Sequence, residues 1–235
     1  MASAVTLQRF SAGMTFDEYV SYAGTPENLA RESGWWLGTE RRDLSGLLRA
    51  WYEQRRLSAA QVEAIRWLAR HPDGPARILV ISEEWSSDCR RDVPMLARLA
   101  EAGGLEMRVF QRDGQKFSNA PTADPAESPN ADIVNAFLNE KDGHTFQSVP
   151  VAVFLTRDFR VIYRYVEFPA IYHKMRLAEA MQVARPGENR EQAWDRFIGD
   201  WGALQESPFF PMWASAAIDE MLSALHERLV VGLSS

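Results

Sequence analysis

The side chain with the most evident chemistry in this sequence is the thiol of Cys89, the single cysteine of the chain. It ends the segment Trp85-Ser86-Ser87-Asp88-Cys89, so a serine hydroxyl stands one helical turn before it. A single thiol cannot form a disulfide within its own chain. The thiol chemistry that remains is a mixed disulfide with a partner or oxidation to sulfenic acid.

The composition excludes several other kinds of site. One cysteine excludes cysteine-rich zinc sites, and no two of the four histidines have the spacing of metal ligands on a helix. We therefore predict no metal and no cofactor. The net charge of −6 argues against nucleic-acid binding, which needs a basic face to neutralise phosphates. The longest apolar run, Val149 to Leu155, is too short to cross a bilayer, and the first residues lack the apolar core of a signal peptide. We expect a cytoplasmic protein with no membrane association.

The elements that must position Cys89 follow from the apolar patterns around it. The run 77–82 is apolar, rich in β-branched residues and bounded by turn residues, which predicts a strand buried on both faces. The apolar spacing after it predicts a helix from about Ser87 to Ala102, with Pro94 inside. Further patterns predict a strand over 105–111, a loop over 113–130, a helix over 132–139 and a hairpin of strands 151–156 and 161–166, with helices before and after all of these. The first crossover implies a parallel strand pair and the hairpin an antiparallel one. We therefore predict an α/β fold with a mixed sheet covered by helices.

At the junction of this strand and helix, the sequence resembles the thioredoxin superfamily. The family motif places Trp-Cys-x-x-Cys at that junction and a proline five residues after the second cysteine, and Trp85, Cys89 and Pro94 match it. Val149-Pro150 matches the cis-proline that packs beside the active-site cysteines of the family. More narrowly, the chain is similar to bacterial thioredoxin-like proteins with an Asp in the last x position and an arginine–aspartate pair after the second strand, here Arg112-Asp113.

The resemblance covers roughly residues 15–170 and implies a thioredoxin-like mixed sheet with helical extensions at both ends. We predict an N-terminal helical region over 1–74 that packs on the core. The thioredoxin-like core spans 75–170 and has an inserted loop near 113–130. A C-terminal helical extension spans 171–235.

The sequence departs from the family at the attacking cysteine, whose position is occupied by Ser86. A serine hydroxyl cannot form a disulfide and ionises only beside a strong base. Three interpretations of Ser86 stay open: a hydroxyl that caps the helix, a ligand-binding hydroxyl, or an engineered replacement of a cysteine. Cys89 takes the resolving position of the family, where it is either a reactive monothiol or a buried, inert side chain.

The resemblance also implies a binding groove around these residues. Trp85 corresponds to a half-exposed platform, and we expect Ser87, Asp88, Val149 and Pro150 to frame the groove. The negative charge of Asp88 interacts favourably with the positive, N-terminal end of the helix dipole, and the same charge disfavours a thiolate at the nearby Cys89.

Other conspicuous residues have simpler interpretations. The pairs Arg41-Arg42 and Arg55-Arg56 predict solvated helix faces. The paired carboxylates Glu83-Glu84 are expected to be solvated or salt-bridged rather than catalytic. We expect the aromatic run 208–213 to fold back onto the domain rather than to dock a partner.

Three functional hypotheses follow. The first is a thioredoxin-fold protein of thiol-redox ancestry, in which Cys89 acts at most as a monothiol with glutathione or a protein thiol as partner, or is inactive. The second is a non-catalytic module that binds extended peptides in the groove beside Trp85 and Pro150. The third is an enzyme with Ser86 as nucleophile, which needs an adjacent base that the sequence does not clearly supply.

Overall fold

The computed structural model describes residues 5–34 and 41–232. The strands are β1 (Arg77–Ser82), β2 (Glu106–Gln111), β3 (Asn139–Lys141), β4 (His144–Phe146), β5 (Val151–Leu155) and β6 (Val161–Val166). The helices are α1 (Leu7–Ser11), α2 (Phe16–Ala23), α3 (Pro26–Leu29), α4 (Ser45–Gln54), α5 (Ala59–Ala69), α6 (Ser87–Gly103), α7 (Ala131–Ala136), α8 (Lys174–Gln182), α9 (Arg190–Glu206) and α10 (Phe209–Val230). None of the helices in these described ranges is both long and apolar enough to cross a membrane.

The main sheet is mixed, with the strand order β2-β1-β5-β6. β1 and β2 are parallel, whereas β5 is antiparallel to both β1 and β6. The apolar strands β1 and β5 occupy the two central positions. Every residue of β5 is buried, as expected for a strand covered on both faces. The prediction of an α/β fold with a mixed sheet flanked by helices is confirmed.

Helix α6 follows β1 and carries the motif. It contains Pro94 as predicted, and its C-cap residue is Gly104, which adopts φ +64°, a left-handed conformation that glycine reaches without a Cβ penalty. Its apolar stripe, which includes Val93, Leu96 and Leu99, belongs to the main hydrophobic core. Helices α4 and α5 from the N-terminal side and α10 from the C-terminal side pack against α6. The motif helix is therefore covered by both ends of the chain.

The described residues before β1 and after β6 form helices, as predicted. Ser58 and Gln61 form the predicted capping box of α5, and Thr25 caps α3. In α10, Phe210 and Trp213 are buried in a cluster with Tyr172, so the aromatic run folds back onto the domain as expected. The boundaries of the regions 1–74, 75–170 and 171–235 stay a prediction.

The sequence analysis missed the hairpin formed by β3 and β4. The helix predicted over 132–139 ends at Ala136, and Asn139 already pairs with Phe146. Asp142 and Gly143 connect the two strands, both with positive φ. Asp-Gly is the sequence signature of such a two-residue turn and would have predicted it.

Candidate functional site

The cis-proline and the start of α6 meet at one edge of the sheet. Residues 83–86 lead from β1 into α6, and the Val149–Pro150 peptide bond is cis, as the resemblance implied. β5 begins at Val151, which pairs with Ile81 near the end of β1. This antiparallel pairing brings Pro150 beside the residues that lead into the motif helix.

The thiol of Cys89 is fully buried. The side chain is 0% exposed, and its sulfur accepts a hydrogen bond from the backbone N–H of Glu83 at 3.4 Å. The hydroxyl groups of Ser82 and Ser86 lie near this sulfur and act to lower the pKa of the thiol. Burial is the main cause that raises the pKa of the Cys89 thiol, to about 12. At neutral pH the side chain is therefore a thiol and not the nucleophilic thiolate.

Ser86 occupies the N-cap position of α6, but its hydroxyl makes no capping hydrogen bond. The interpretation of this hydroxyl as a helix cap is therefore wrong. It instead contacts the thiol of Cys89 and lines a cavity described below. Because the two side chains are in contact, the sulfur of a cysteine at position 86 would lie close to the sulfur of Cys89.

Glu83 and Glu84 form a buried ion cluster with two arginines from the N-terminal region. Arg31 and Arg41 contact the two carboxylate oxygens of Glu83, each at 2.8 Å, and Arg41 also contacts Glu84 at 2.5 Å. The amide of Asn28 donates to Glu84 at 3.0 Å. Although desolvation raises it, the pKa of Glu83 is lowered overall by Arg31 and Arg41. The prediction that Arg41 lies on a solvated helix face is wrong, because Arg41 is buried in ion pairs with Glu83 and Glu84.

A second buried ion cluster surrounds the first turns of α6. Arg91 contacts Asp88 at 2.6 Å and binds both oxygens of Asp92 at 2.8 and 2.7 Å. Lys174 at the start of α8 pairs with the other oxygen of Asp88, and the hydroxyl of Tyr165 donates to Asp92 at 3.0 Å. Desolvation raises the pKa of Asp92 to about 6 against the opposing effect of Arg91. Asp88 is thus enclosed by cations rather than exposed at the groove.

Trp85 is only 3% exposed, so the expected half-exposed platform is wrong. Its indole N–H donates to Asp113 at 3.2 Å, and the edge of its ring meets Phe117 with centroids 5.5 Å apart. The guanidinium of Arg112, which is paired with Asp113, lies 5.2 Å from the Trp85 ring. Burial and the nearby Glu83 raise the pKa of Asp113 to about 6. The first residues of the loop over 113–130 therefore pack on the motif, while most of the loop is exposed as predicted.

A cavity of about 260 Å³ remains between this loop, the motif and the cis-proline. It is lined by Trp85, Ser86, Arg112, Phe117, Ser118, Asn119, Ala120, Thr145, Phe146, Gln147, Ser148, Val149, Glu167 and Lys174. Across residues 5–34 and 41–232, no group of three or more His, Cys, Asp or Glu side chains is placed to hold a metal ion.

The structure brings together only part of the predicted site. Trp85, Ser86 and Val149 line the cavity, whereas Ser87, Asp88, Cys89 and Pro150 lie behind its wall. The sequence analysis missed the cavity-lining roles of Phe146, Glu167 and Lys174. Lys174 and Glu167 lie beyond or near the end of the segment that resembles the family, so the motif gave no signal for them.

The first prediction concerns the ion cluster at Glu83. Replacing Arg41→Met leaves Glu84 buried without its arginine, although Arg31 still pairs with Glu83. Because removal of one partner from a buried ion pair typically costs about 3–5 kcal/mol, we expect the unfolding free energy to fall by about 3 kcal/mol. Urea denaturation measures it. The exposed neighbour provides a matched control, Arg42→Met, with an expected change within about 0.5 kcal/mol; equal stabilities of the two variants would contradict the cluster.

The second prediction concerns the contact between Ser86 and Cys89. We expect Ser86→Cys to form a disulfide with Cys89 when the protein is treated with diamide, detected as the loss of two hydrogen atoms in the intact mass. Ser87→Cys is the control, because side chains two residues apart on a helix point in different directions and position 87 therefore does not face Cys89. A disulfide in neither variant would show that position 86 is not equivalent to the attacking cysteine of the family.

Comparisons with known proteins bear on the fold. A crystal structure of a protein of unknown function, PA1234 from Pseudomonas aeruginosa, is similar with a TM-score of 0.50 at 14% identity, covering 94% of this chain and 98% of that one. An HIV epitope-scaffold protein has a TM-score of 0.49 at 14% identity, covering 98% of this chain and 100% of that one. No curated protein matches the sequence. At such low identity the first likeness supports the fold alone.

The family model Thioredoxin_9, described as thioredoxin, matches residues 39–182, which is more than half of the chain. The chain therefore belongs to this thioredoxin family.

Proposed function

We propose that this chain of thiol-redox ancestry is a non-catalytic module that binds an extended peptide segment in the cavity beside Trp85 and Pro150. The observation that carries the proposal is that main-chain groups of Val149 at the cavity are available for hydrogen bonding. Within the described part of the chain, neither the N–H nor the carbonyl of Val149 has a hydrogen-bond partner, and Val149 lines the cavity. An extended segment recognises such groups by adding main-chain hydrogen bonds.

The position of Cys89 argues against a redox function. A dithiol cycle needs two sulfurs, and the chain has one. A monothiol cycle with glutathione needs an accessible thiolate, whereas the Cys89 sulfur is buried and its pKa is raised to about 12. The sulfur does not line the cavity, so a ligand there meets the hydroxyl of Ser86 instead.

The walls of the cavity favour a segment of peptide chain. Phe117 and Phe146 supply apolar surface, while Ser118, Asn119 and Gln147 supply hydrogen-bonding groups. Phe146 is 46% exposed at the rim. A volume of about 260 Å³ lies below the range of about 300–1,000 Å³ that is usual for small-molecule sites. The cavity therefore suits one side chain of a longer ligand that continues along the surface.

The third prediction tests the redox alternative. In the native protein at about pH 8, we expect Cys89 to remain unmodified by N-ethylmaleimide and by oxidised glutathione, because it is buried and protonated. In concentrated guanidinium chloride the same protein should react fully, since a free thiol has a pKa of about 8.5. Intact mass measures both reactions. Modification of the native protein at the rate of the unfolded chain would restore the monothiol hypothesis.

The fourth prediction tests peptide binding. Panning of phage-displayed random heptapeptides on the native protein should enrich binding sequences, whose affinity for the purified protein is then measured by fluorescence anisotropy. We expect Phe146→Ala to weaken binding by about 10- to 100-fold, because burying a Phe side chain is worth about 1.5–3 kcal/mol.

Phe209→Ala is the matched control, because Phe209 is similarly exposed, at 55%, but does not line the cavity. Its affinity should equal that of the native protein. No enriched peptide, or equal affinities for both variants, would contradict the proposed function.

A further inference from the structure

We propose that the cavity selects a basic side chain, Lys or Arg, of the bound segment and that Glu167 is the group that recognises its charge. This inference rests on the proposed function and adds the chemical class of the ligand. It follows from the pairing of the buried charges, from the way Glu167 is held, and from the aromatic walls.

The charges around the motif compensate one another almost completely. Every charged side chain of the two ion clusters and of the Arg112–Asp113 pair has an opposite charge within 4.0 Å. Several described charged side chains of this region, including Arg55, Arg90 and Glu167, have no such ion pair, and of these three only Glu167 lines the cavity. Arg90 is enclosed, because it donates to the carbonyls of Glu84 and Trp85 and to Gln205 of α9. Glu167 is therefore the one charge that lines the cavity without an ion pair.

The backbone of Glu167 is fixed at the wall of the cavity. Its N–H donates to the carbonyl of Pro150 at 2.8 Å, and its own carbonyl accepts a hydrogen bond from Arg91 at 3.0 Å. Its φ is +62°, a left-handed conformation that is uncommon for a residue with a side chain. Desolvation is the main cause that raises the pKa of its carboxyl group, against smaller opposing effects of Lys174 and Ser148. A cation from the ligand would compensate this desolvated carboxylate.

The cations near Glu167 do not already fulfil this role. Lys174 and Lys141 act on it through space, but neither forms an ion pair with it. The ammonium group of Lys174 is bound to Asp88. Arg112 also lines the cavity, and its charge is compensated by Asp113. An acidic ligand would therefore meet cations that are already paired, together with the carboxylate of Glu167, which has no ion pair.

The aromatic walls suit the stem of a long basic side chain. Phe117, Phe146 and Trp85 line the same cavity as Glu167. Lys and Arg bury their methylene groups along apolar surface while the charged head reaches a polar partner. Aromatic faces also attract the cation itself. A short or acidic side chain would use neither the walls nor the carboxylate.

The test uses one heptapeptide obtained by panning on the native protein. Five fluorescein-labelled versions differ at the position that contacts the cavity, found by alanine scanning, and carry there Lys, Arg, citrulline, norleucine or Glu. Fluorescence anisotropy gives the affinity of each for the native protein, for Glu167→Gln and for Glu179→Gln. Glu179 is exposed on α8 and outside the cavity, so the last variant controls for the loss of one negative charge.

We expect the native protein and Glu179→Gln to bind the Lys or Arg peptide at least about tenfold more tightly than its neutral counterpart. In Glu167→Gln this preference should disappear, while the neutral peptides bind as before. Equal or tighter binding of the norleucine, citrulline or Glu peptides by the native protein would overturn the inference, as would a preference that survives in Glu167→Gln. Either result leaves peptide binding itself intact, whereas the absence of any panned binder would refute the proposed function instead.

Discussion

The need to neutralise carboxylates buried around the start of α6 constrains the whole molecule. Glu83, Glu84, Asp88 and Asp92 are all almost fully buried. An unpaired buried carboxylate is so costly that each must have a cation or be protonated. The motif helix itself supplies Arg91, and the other cations come from segments before β1 and after β6. The N-terminal region contributes two arginines to Glu83 and Glu84, and α8 contributes a lysine to Asp88. Segments on both sides of the main sheet in the sequence therefore complete the charge balance around α6.

The proposed binding function does not require redox chemistry at this site. In thioredoxin-like proteins a thiolate at the start of the motif helix benefits from the helix dipole. Here that position is Ser86, and the remaining thiol is enclosed by protein groups on all sides. The cis-proline and the free main chain of Val149 do not depend on a sulfur atom. The proposed binding surface therefore needs no reactive sulfur atom.

The sequence predicted the regular elements well, because their signals are local. The apolar run of β1, the stripe of α6 and the capping box at Ser58 each depend on residues close together in the chain. The partners of Glu83 could not be predicted in this way, since Arg41 lies 42 residues away and a surface arginine pair has the same local sequence. The burial of Trp85 was missed for a related reason. It depends on Asp113 and Phe117 of a loop whose polar composition indicates only irregular structure.

The charge balance and the cavity are physically linked through Arg91. This side chain neutralises Asp88 and Asp92 inside the helix and also donates to the carbonyl of Glu167. The N–H of Glu167 is held by Pro150, so one residue joins the ion cluster to the cis-proline. Any displacement of Arg91 would move the cavity wall and expose buried carboxylates at the same time. Because Arg91 makes both contacts, its ion pairs favour one position of the cavity wall, and such preorganisation would lower the entropy lost in the proposed binding of a segment.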